Sequence, residues 1–115
     1  MLFRSFEAAA AGTPFLTVPA GDASEIVNWT GGGWLCPADR DNHGYITVSP
    51  AVLAREIEKG VRTPDYLRKL GDAGRKAWSD RFTWATIAKS YESILRGERV
   101  MFPLESDATG DAAQA

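Results

Sequence analysis

The sequence predicts a partial α/β fold, in which short parallel strands are followed by three C-terminal helices. Two short apolar segments, Phe15–Val18 and Trp34–Cys36, follow glycine or proline and have the composition of buried parallel strands. Helix start signals then recur from residue 49 to residue 83, with no further strand between them. Because a complete doubly wound domain alternates strands and helices throughout, we expect this chain to be the last third of such a domain.

The first predicted helix is alanine-rich and covers about residues 4–11, with Glu7 at its start. Gly12 is suited to the left-handed conformation that ends a helix, and Thr13-Pro14 prevents the helix from continuing into the strand. Residues 19–24 read as a loop. Residues 25–27 are too few to assign and fit either a helical turn or the start of a strand.

Two segments near the predicted strands are candidates for ligand binding. The triple glycine Gly31-Gly32-Gly33 could form a phosphate loop, but it lacks the GxGxxG spacing and precedes a strand, so a tight turn is favoured. Asp22, Ser24 and Glu25 follow the first strand, at the end where open α/β sheets bind ligands. For these three residues, a solvated loop is favoured over a site.

The region from Pro37 to Thr47 reads as a long polar loop. His43 lies there beside three further polar residues, Asp39, Asp41 and Asn42, but their spacing matches no known ion site, so an exposed loop is favoured. Cys36 lies in an apolar strand and reads as an inert core thiol. We therefore expect no metal, no cofactor and no catalytic triad.

The C-terminal half contains three predicted helices. Ser49-Pro50 starts one that runs to about Lys59, and Thr63-Pro64 starts one that runs to about Ser79. Thr83 caps the last helix, whose apolar residues recur at helical spacing and form one stripe: Trp84, Ile87, Ala88, Tyr91, Ile94 and Leu95. The domain is predicted to span residues 1–99, and residues 100–115 to be a disordered tail.

Aromatic residues surround Arg81 where the last two helices meet. Trp78, Phe82 and Trp84 could stack on a base or a sugar, but their spacing favours packing at the joint between the helices.

Charge and composition exclude several classes of protein. The net charge of −2 and the pI near 5.3 argue against nucleic-acid binding, which normally needs a basic patch. A single cysteine fits a reducing compartment. The sequence has neither the pattern of a signal peptide nor an apolar run of the ~18 residues that span a membrane. We expect a soluble, cytoplasmic protein without a transmembrane segment.

Three segments together carry a family resemblance: EAAAAGTPFLTVPAGDASEIV from Glu7, GGGWLCPAD, and RFTWATIAKSYESIL. In this order they resemble the C-terminal end of the nucleotide-sugar-binding domain of glycosyltransferase family 4, a retaining family with the GT-B fold. The resemblance covers about residues 5–97 and implies a partial Rossmann-like domain. It also implies a nucleotide-sugar donor of the UDP- or GDP-sugar type and an acceptor that the sequence does not identify.

The resemblance implies roles for three residues near the start of the chain. The family places two glutamates around the donor, and Glu7 matches the second, which binds the ribose hydroxyls. A carboxylate suits this role because it accepts two hydrogen bonds from a vicinal diol. The backbone amides of Phe3 and Arg4 would approach the phosphates, although Leu2 stands where the family usually has glycine. The first glutamate would precede Met1.

Retaining transfer in this family requires a donor held between two domains. We therefore expect this chain to be a glycosyltransferase fragment that contributes part of the donor site and is inactive alone. Two alternatives remain open at the level of the sequence. The chain could be a non-catalytic nucleotide-binding module, or a subunit of a split glycosyltransferase whose partner chain carries the N-terminal domain.

Overall fold

The computed structural model describes residues 3–99, which form a mixed α/β structure that is mostly helical. Its elements in chain order are α1 (Phe3–Ala10), β1 (Phe15–Thr17), α2 (Ala23–Thr30), β2 (Gly33–Leu35), β3 (Asp39–Arg40), β4 (Ile46–Thr47), α3 (Pro50–Val61), α4 (Pro64–Ala77), a π-helical turn (Trp78–Phe82) and α5 (Trp84–Leu95). The predicted tail, residues 100–115, lies outside the described residues. The chain divides into two compact units, one ending at Ser79 and the other beginning at Asp80.

The two predicted parallel strands are confirmed in the first unit. β1 and β2 pair in parallel, with Phe15 opposite Gly33 and Thr17 opposite Leu35. β2 begins and ends one residue earlier than the sequence predicts, and Cys36 follows it. The Cys36 backbone N–H still donates to the Thr17 carbonyl at 2.7 Å, and its side chain is buried, as expected of a core thiol.

Glycine ends α1 as predicted. Gly12 has a φ of +71°, in the left-handed region. The Gly12 N–H donates to the Ala9 carbonyl and the Thr13 N–H donates to the Ala8 carbonyl, which is the pair of bonds that defines a Schellman motif. This motif turns the chain from α1 into Pro14 and β1.

Two regions contain regular structure that the sequence did not assign. Helix α2 begins at Ala23, inside the predicted loop 19–24, continues through residues 25–27, which alone fit either a helical turn or a strand start, and buries Ile26 and Thr30. The Thr30 hydroxyl donates to the Ile26 carbonyl at 2.8 Å and accepts from the Gly32 N–H at 3.1 Å, so it joins the end of α2 to the glycine turn. The polar region before α3 contains the antiparallel hairpin β3–β4.

The triple glycine is a turn that also permits close packing. Gly31 ends α2 with a φ of +61°. A Cβ at Gly32 would lie 2.9 Å from the Cα of Gly74, and a Cβ at Gly71 would lie 2.3 Å from the Gly12 carbonyl oxygen. Helix α4 therefore crosses both turns at backbone-to-backbone distance. Packing explains why two glycines occur inside a helix that they would otherwise weaken.

Arg75 of α4 joins this helix to the end of α1. Its Nη1 donates to the Ala10 carbonyl at 2.5 Å, and its guanidinium lies 5.0 Å from the centroid of the Trp78 ring. A cation at the C-terminal end of α1 is favoured by the helix dipole and occupies a carbonyl that has no partner within the helix.

The second unit contains α5, which begins as predicted. The Thr83 hydroxyl accepts from the Thr86 N–H at 3.3 Å, which is the N-cap hydrogen bond. The apolar stripe of α5 is largely exposed: Trp84 is 78%, Tyr91 65% and Leu95 86% accessible.

Candidate functional site: a cavity at the carboxyl end of β1

A cavity of about 330 Å³ lies where strand β1 ends. Residues from α1, the end of β1, the following loop and the first turns of α2 surround it: Ser5, Thr17, Val18, Ala20, Gly21, Asp22, Ala23 and Ile26. The carboxyl end of a parallel strand is the usual position of a ligand in an open α/β sheet, because the loops and helix starts gather there. The cavity is therefore our candidate site.

Two helices present their N-terminal ends to this cavity. Ser5 lies in the first turn of α1, and Asp22 is the residue immediately before α2. The first N–H groups of a helix have no partner within that helix, and the dipole makes this end partly positive. Such a pair of helix starts favours an anionic ligand group.

Asp22 adds a hydrogen-bond acceptor at the wall of the cavity. It occupies the N-cap position of α2, but its side chain makes no capping hydrogen bond, and it is half-buried. A carboxylate in this position suits the hydroxyl groups of a ligand, since an ionised carboxylate only accepts hydrogen bonds. The sequence favoured a solvated loop for Asp22, Ser24 and Glu25. In the structure, Ser24 and Glu25 belong to α2 and Asp22 lines the cavity.

Glu7 lies elsewhere on α1. It is the fifth of the eight residues of this helix and is exposed, so the expectation that it lies at the helix start is wrong. In the described residues α1 spans Phe3–Ala10, with no acidic residue in its first turn, where the dipole mainly acts. Glu7 is also about 200° around the helix from Ser5 at 100° per residue. It does not line the cavity.

The other two predicted residues occupy the first turn of α1. Phe3 is the first described residue of the helix and Arg4 the second, and the Arg4 side chain is exposed. Backbone N–H groups in this turn lack carbonyl partners in the helix, which is what their predicted role requires. The structure thus brings Phe3 and Arg4 into the same helical turn as Ser5 and leaves Glu7 in the next.

Sequence reasoning missed Ser5 and Thr17 as lining residues. Thr17 lies within the first segment of the family resemblance, but neither residue is marked as a lining residue until α1 is placed beside the end of β1. The rule that ligands bind after a parallel strand pointed to Asp22, but the sequence favoured a solvated loop there. The cavity wall was not expected, because the start of α2 immediately after Asp22 was not recognised.

His43 lies in an exposed turn, which agrees with the exposed position that the sequence favoured, but the turn belongs to the β3–β4 hairpin that was not predicted. The Asp41 Oδ1 atom accepts from the backbone N–H of His43 at 2.8 Å and of Tyr45 at 2.9 Å, which closes the hairpin between β3 and β4. His43 is exposed. Within residues 3–99, no three His, Cys, Asp or Glu side chains come together in a way that could hold a metal ion.

Comparison with protein-family models, curated proteins and solved structures finds no match to this chain. No helix among residues 3–99 is both long and apolar enough to cross a membrane.

Proposed function

We propose that this chain binds a nucleotide-sugar and supplies part of the donor site of a glycosyltransferase with a GT-B, Rossmann-like architecture, acting in the cytoplasm. The observation that carries the proposal is the cavity at the carboxyl end of β1, between the starts of α1 and α2. It has the location expected of a nucleotide site in an α/β sheet, and the first turn of α1 beside it has the partial positive charge that suits a diphosphate.

The size of the cavity indicates which part of the donor it would hold. About 330 Å³ is at the low end for a small-molecule pocket, and a nucleotide-sugar is larger. We infer that the sugar occupies the cavity, with Asp22 accepting from sugar hydroxyls and the amides near Phe3 and Arg4 facing a phosphate at the start of α1. The nucleoside would then extend over the start of α1 toward Glu7. The ribose role of Glu7 rests on the family resemblance.

Calorimetric titration of the full chain with UDP, GDP and the corresponding UDP- and GDP-sugars tests this proposal. We expect saturable binding of at least one of these donors. Asp22→Asn should weaken the sugar-containing ligand more than the free nucleotide, because only the sugar contacts Asp22. Glu7→Gln should weaken both by roughly tenfold or more, the usual effect of losing a charged hydrogen bond. Asp72→Asn, at an exposed position of α4, is the matched control.

The outcomes separate the parts of the proposal. Absence of binding to any donor at about 1 mM, where affinities are already weak, would overturn it. Binding that Glu7→Gln leaves unchanged would retain the cavity as the donor site and remove the ribose role from Glu7. Equal losses in Asp72→Asn would show a non-specific effect of charge.

One observation favours a second candidate, a subunit of a split glycosyltransferase. Among residues 3–99, the parallel sheet has only β1 and β2, whereas parallel sheets are normally larger and covered on both faces. The backbone N–H and C=O groups of Phe15 and Thr17 point toward β2. Because these groups alternate in direction along a strand, the N–H and C=O of Leu16 point toward the edge of β1 that faces away from β2. That edge suits a further strand from another part of the protein.

An antibody against α5 distinguishes these candidates in extracts of the source cells. A polypeptide several times heavier than 12.5 kDa on a denaturing gel would indicate a segment of a two-domain transferase. A 12.5 kDa band that migrates in a larger complex under native conditions would indicate a split enzyme. A 12.5 kDa band that migrates alone would favour the nucleotide-binding module, and binding in the calorimetric titration would then support that function.

A further inference from the structure

A second cavity, of about 270 Å³, lies beside strand β2, where helix α3 ends and α4 begins. Its lining residues are Trp34, Lys59, Gly60, Thr63 and Tyr66. None of them lines the candidate nucleotide site, and no motif of the sequence assigns them a ligand-binding role. Two of the five, Trp34 and Tyr66, are aromatic.

The indole of Trp34 is held in place from two sides. A Cβ at Gly60 would lie 2.9 Å from the Trp34 Cη2 atom, so the six-membered ring rests directly on the backbone of α3. The Trp34 Nε1–H donates to the Glu56 Oε2 atom at 3.1 Å. Because the ring is already fixed, the Trp34 side chain loses little conformational entropy when a ligand binds against it.

Two polar hydrogens at the pocket, those of the Trp34 indole and the Thr63 hydroxyl, are already donated within the protein. The Thr63 hydroxyl donates to the Lys59 carbonyl at 2.8 Å, and the indole N–H is bonded to Glu56. A hydroxyl-rich ligand such as a sugar would therefore give up hydrogen bonds to water and regain few. The pocket favours a ligand with little polar surface.

Charge around the pocket favours neither a cation nor an anion. Lys59 lines the pocket, and its ammonium lies 3.9 Å from the Glu56 carboxylate, so the two charges partly balance. Aromatic walls can bind quaternary ammonium groups, but this carboxylate is already paired with Lys59 and offers a cation little further attraction. The balance of charge favours a neutral ligand.

We propose that this pocket binds a small, neutral aromatic molecule of one or two fused rings, stacked between Trp34 and Tyr66. A cavity of roughly 150 Å³ accommodates benzene, and the usual pockets of larger ligands begin at about 300 Å³. The volume of this cavity thus suits a molecule of the size of indole. Offset stacking or edge-to-face contact with two rings supplies both affinity and orientation. The proposal does not depend on nucleotide binding.

Titration of the full ¹⁵N-labelled chain with indole, followed by NMR, tests it. We expect saturable chemical-shift changes at the Trp34 indole N–H and at the backbone amides of Gly60 and Thr63. Tyr66→Ala removes one wall and should weaken binding roughly fivefold, as expected for the loss of one aromatic pair. Tyr66 is 49% exposed, so this change should leave the fold intact, which the remaining spectrum verifies.

Tyr45→Ala is the matched control, because Tyr45 is a 70% exposed tyrosine outside the pocket. It should leave the indole affinity unchanged. Absence of saturable shifts at about 10 mM indole, a concentration above which binding carries little meaning, would overturn the proposal. An equal loss in Tyr45→Ala, or tighter binding of choline than of indole, would overturn it as well.

Discussion

Gly71 shows how one residue decides whether α4 can pack where it does. Alanine normally stabilises a helix interior by up to about 1 kcal/mol over glycine. At Gly71, however, the added Cβ would lie 2.3 Å from the Gly12 carbonyl oxygen, which belongs to the backbone and cannot rotate away. We expect Gly71→Ala to lower the free energy of unfolding by about 1–3 kcal/mol, as overpacking does. Urea denaturation followed by circular dichroism measures it.

Asp72→Ala is the control for this prediction. Asp72 is the next residue of α4 and is exposed. Its replacement therefore measures the effect of alanine on helix stability without the close approach to Gly12. We expect stability to change by no more than about 0.5 kcal/mol or to rise slightly. If Gly71→Ala instead raised the free energy of unfolding by up to about 1 kcal/mol, as this change does in an uncrowded helix, the close contact with Gly12 would be contradicted.

Glu7 provides the opposite case, a residue that the fold does not use. It is exposed and lies in the second turn of α1, away from Ser5. We expect Glu7→Gln to leave the free energy of unfolding within about 0.5 kcal/mol of the native value. The same denaturation experiment measures this. A large loss of stability would mean that Glu7 has a structural role, and the binding test with this variant could not then be interpreted as a change at the ligand alone.

At the scale of elements, the three predicted N-caps differ in what they do. Ser49, Thr63 and Thr83 each precede a helix, but only Thr83 makes the side-chain cap hydrogen bond. We expect Thr83→Ala to cost about 1 kcal/mol in the stability of α5, and Ser49→Ala to cost clearly less in α3. Thr83→Ser keeps the hydroxyl and serves as the control. Amide hydrogen exchange resolves the two helices separately, and equal losses at both caps would contradict this assignment.

These caps also show what could be predicted from the sequence. Residue pairs such as Ser49-Pro50 start a helix through local backbone preferences, so the starts of α3, α4 and α5 were predictable. Helix α2 was not assigned because residues 25–27 alone fit either a helical turn or a strand start, and only Ile26 and Thr30 of this helix are buried. Asp22 precedes the helix, but its side chain makes no capping hydrogen bond. The π-helical turn after α4 has no sequence signal that would have distinguished it from further α-helix.

The candidate site could be predicted only in part, for a related reason. The end of β1 was located, and with it the edge of the sheet where a ligand would bind. The cavity itself depends on how α1 packs beside β1 and where α2 starts, and both are tertiary features. The largest error concerned which face of α1 lies against the site. The sequence predicted that Glu7 lies at the site, whereas in the structure Ser5 lines the cavity and Glu7 does not.

At the scale of the whole molecule, apolar residues remain exposed on both units. In the first unit, α3 exposes a row of apolar side chains at a spacing of four residues: Leu53, Ile57 and Val61 are 37%, 50% and 69% accessible. In the second unit, the stripe of α5 is exposed along the length of the helix. Apolar stripes of this kind normally pack against another surface. They support the proposal that a further polypeptide segment belongs against this chain.

If α5 presents a contact surface, the isolated chain should self-associate through it. We expect sedimentation equilibrium to show a dimer or larger species as the concentration rises to about 1 mM. Leu95→Ser removes a side chain that is 86% exposed, and association should weaken by roughly tenfold, the usual effect of losing one buried leucine contact. Ala85→Ser, on the same helix, is the control and should change little. A chain that stays monomeric throughout, or one that associates equally well with Leu95→Ser, would show that the stripe does not mediate self-association.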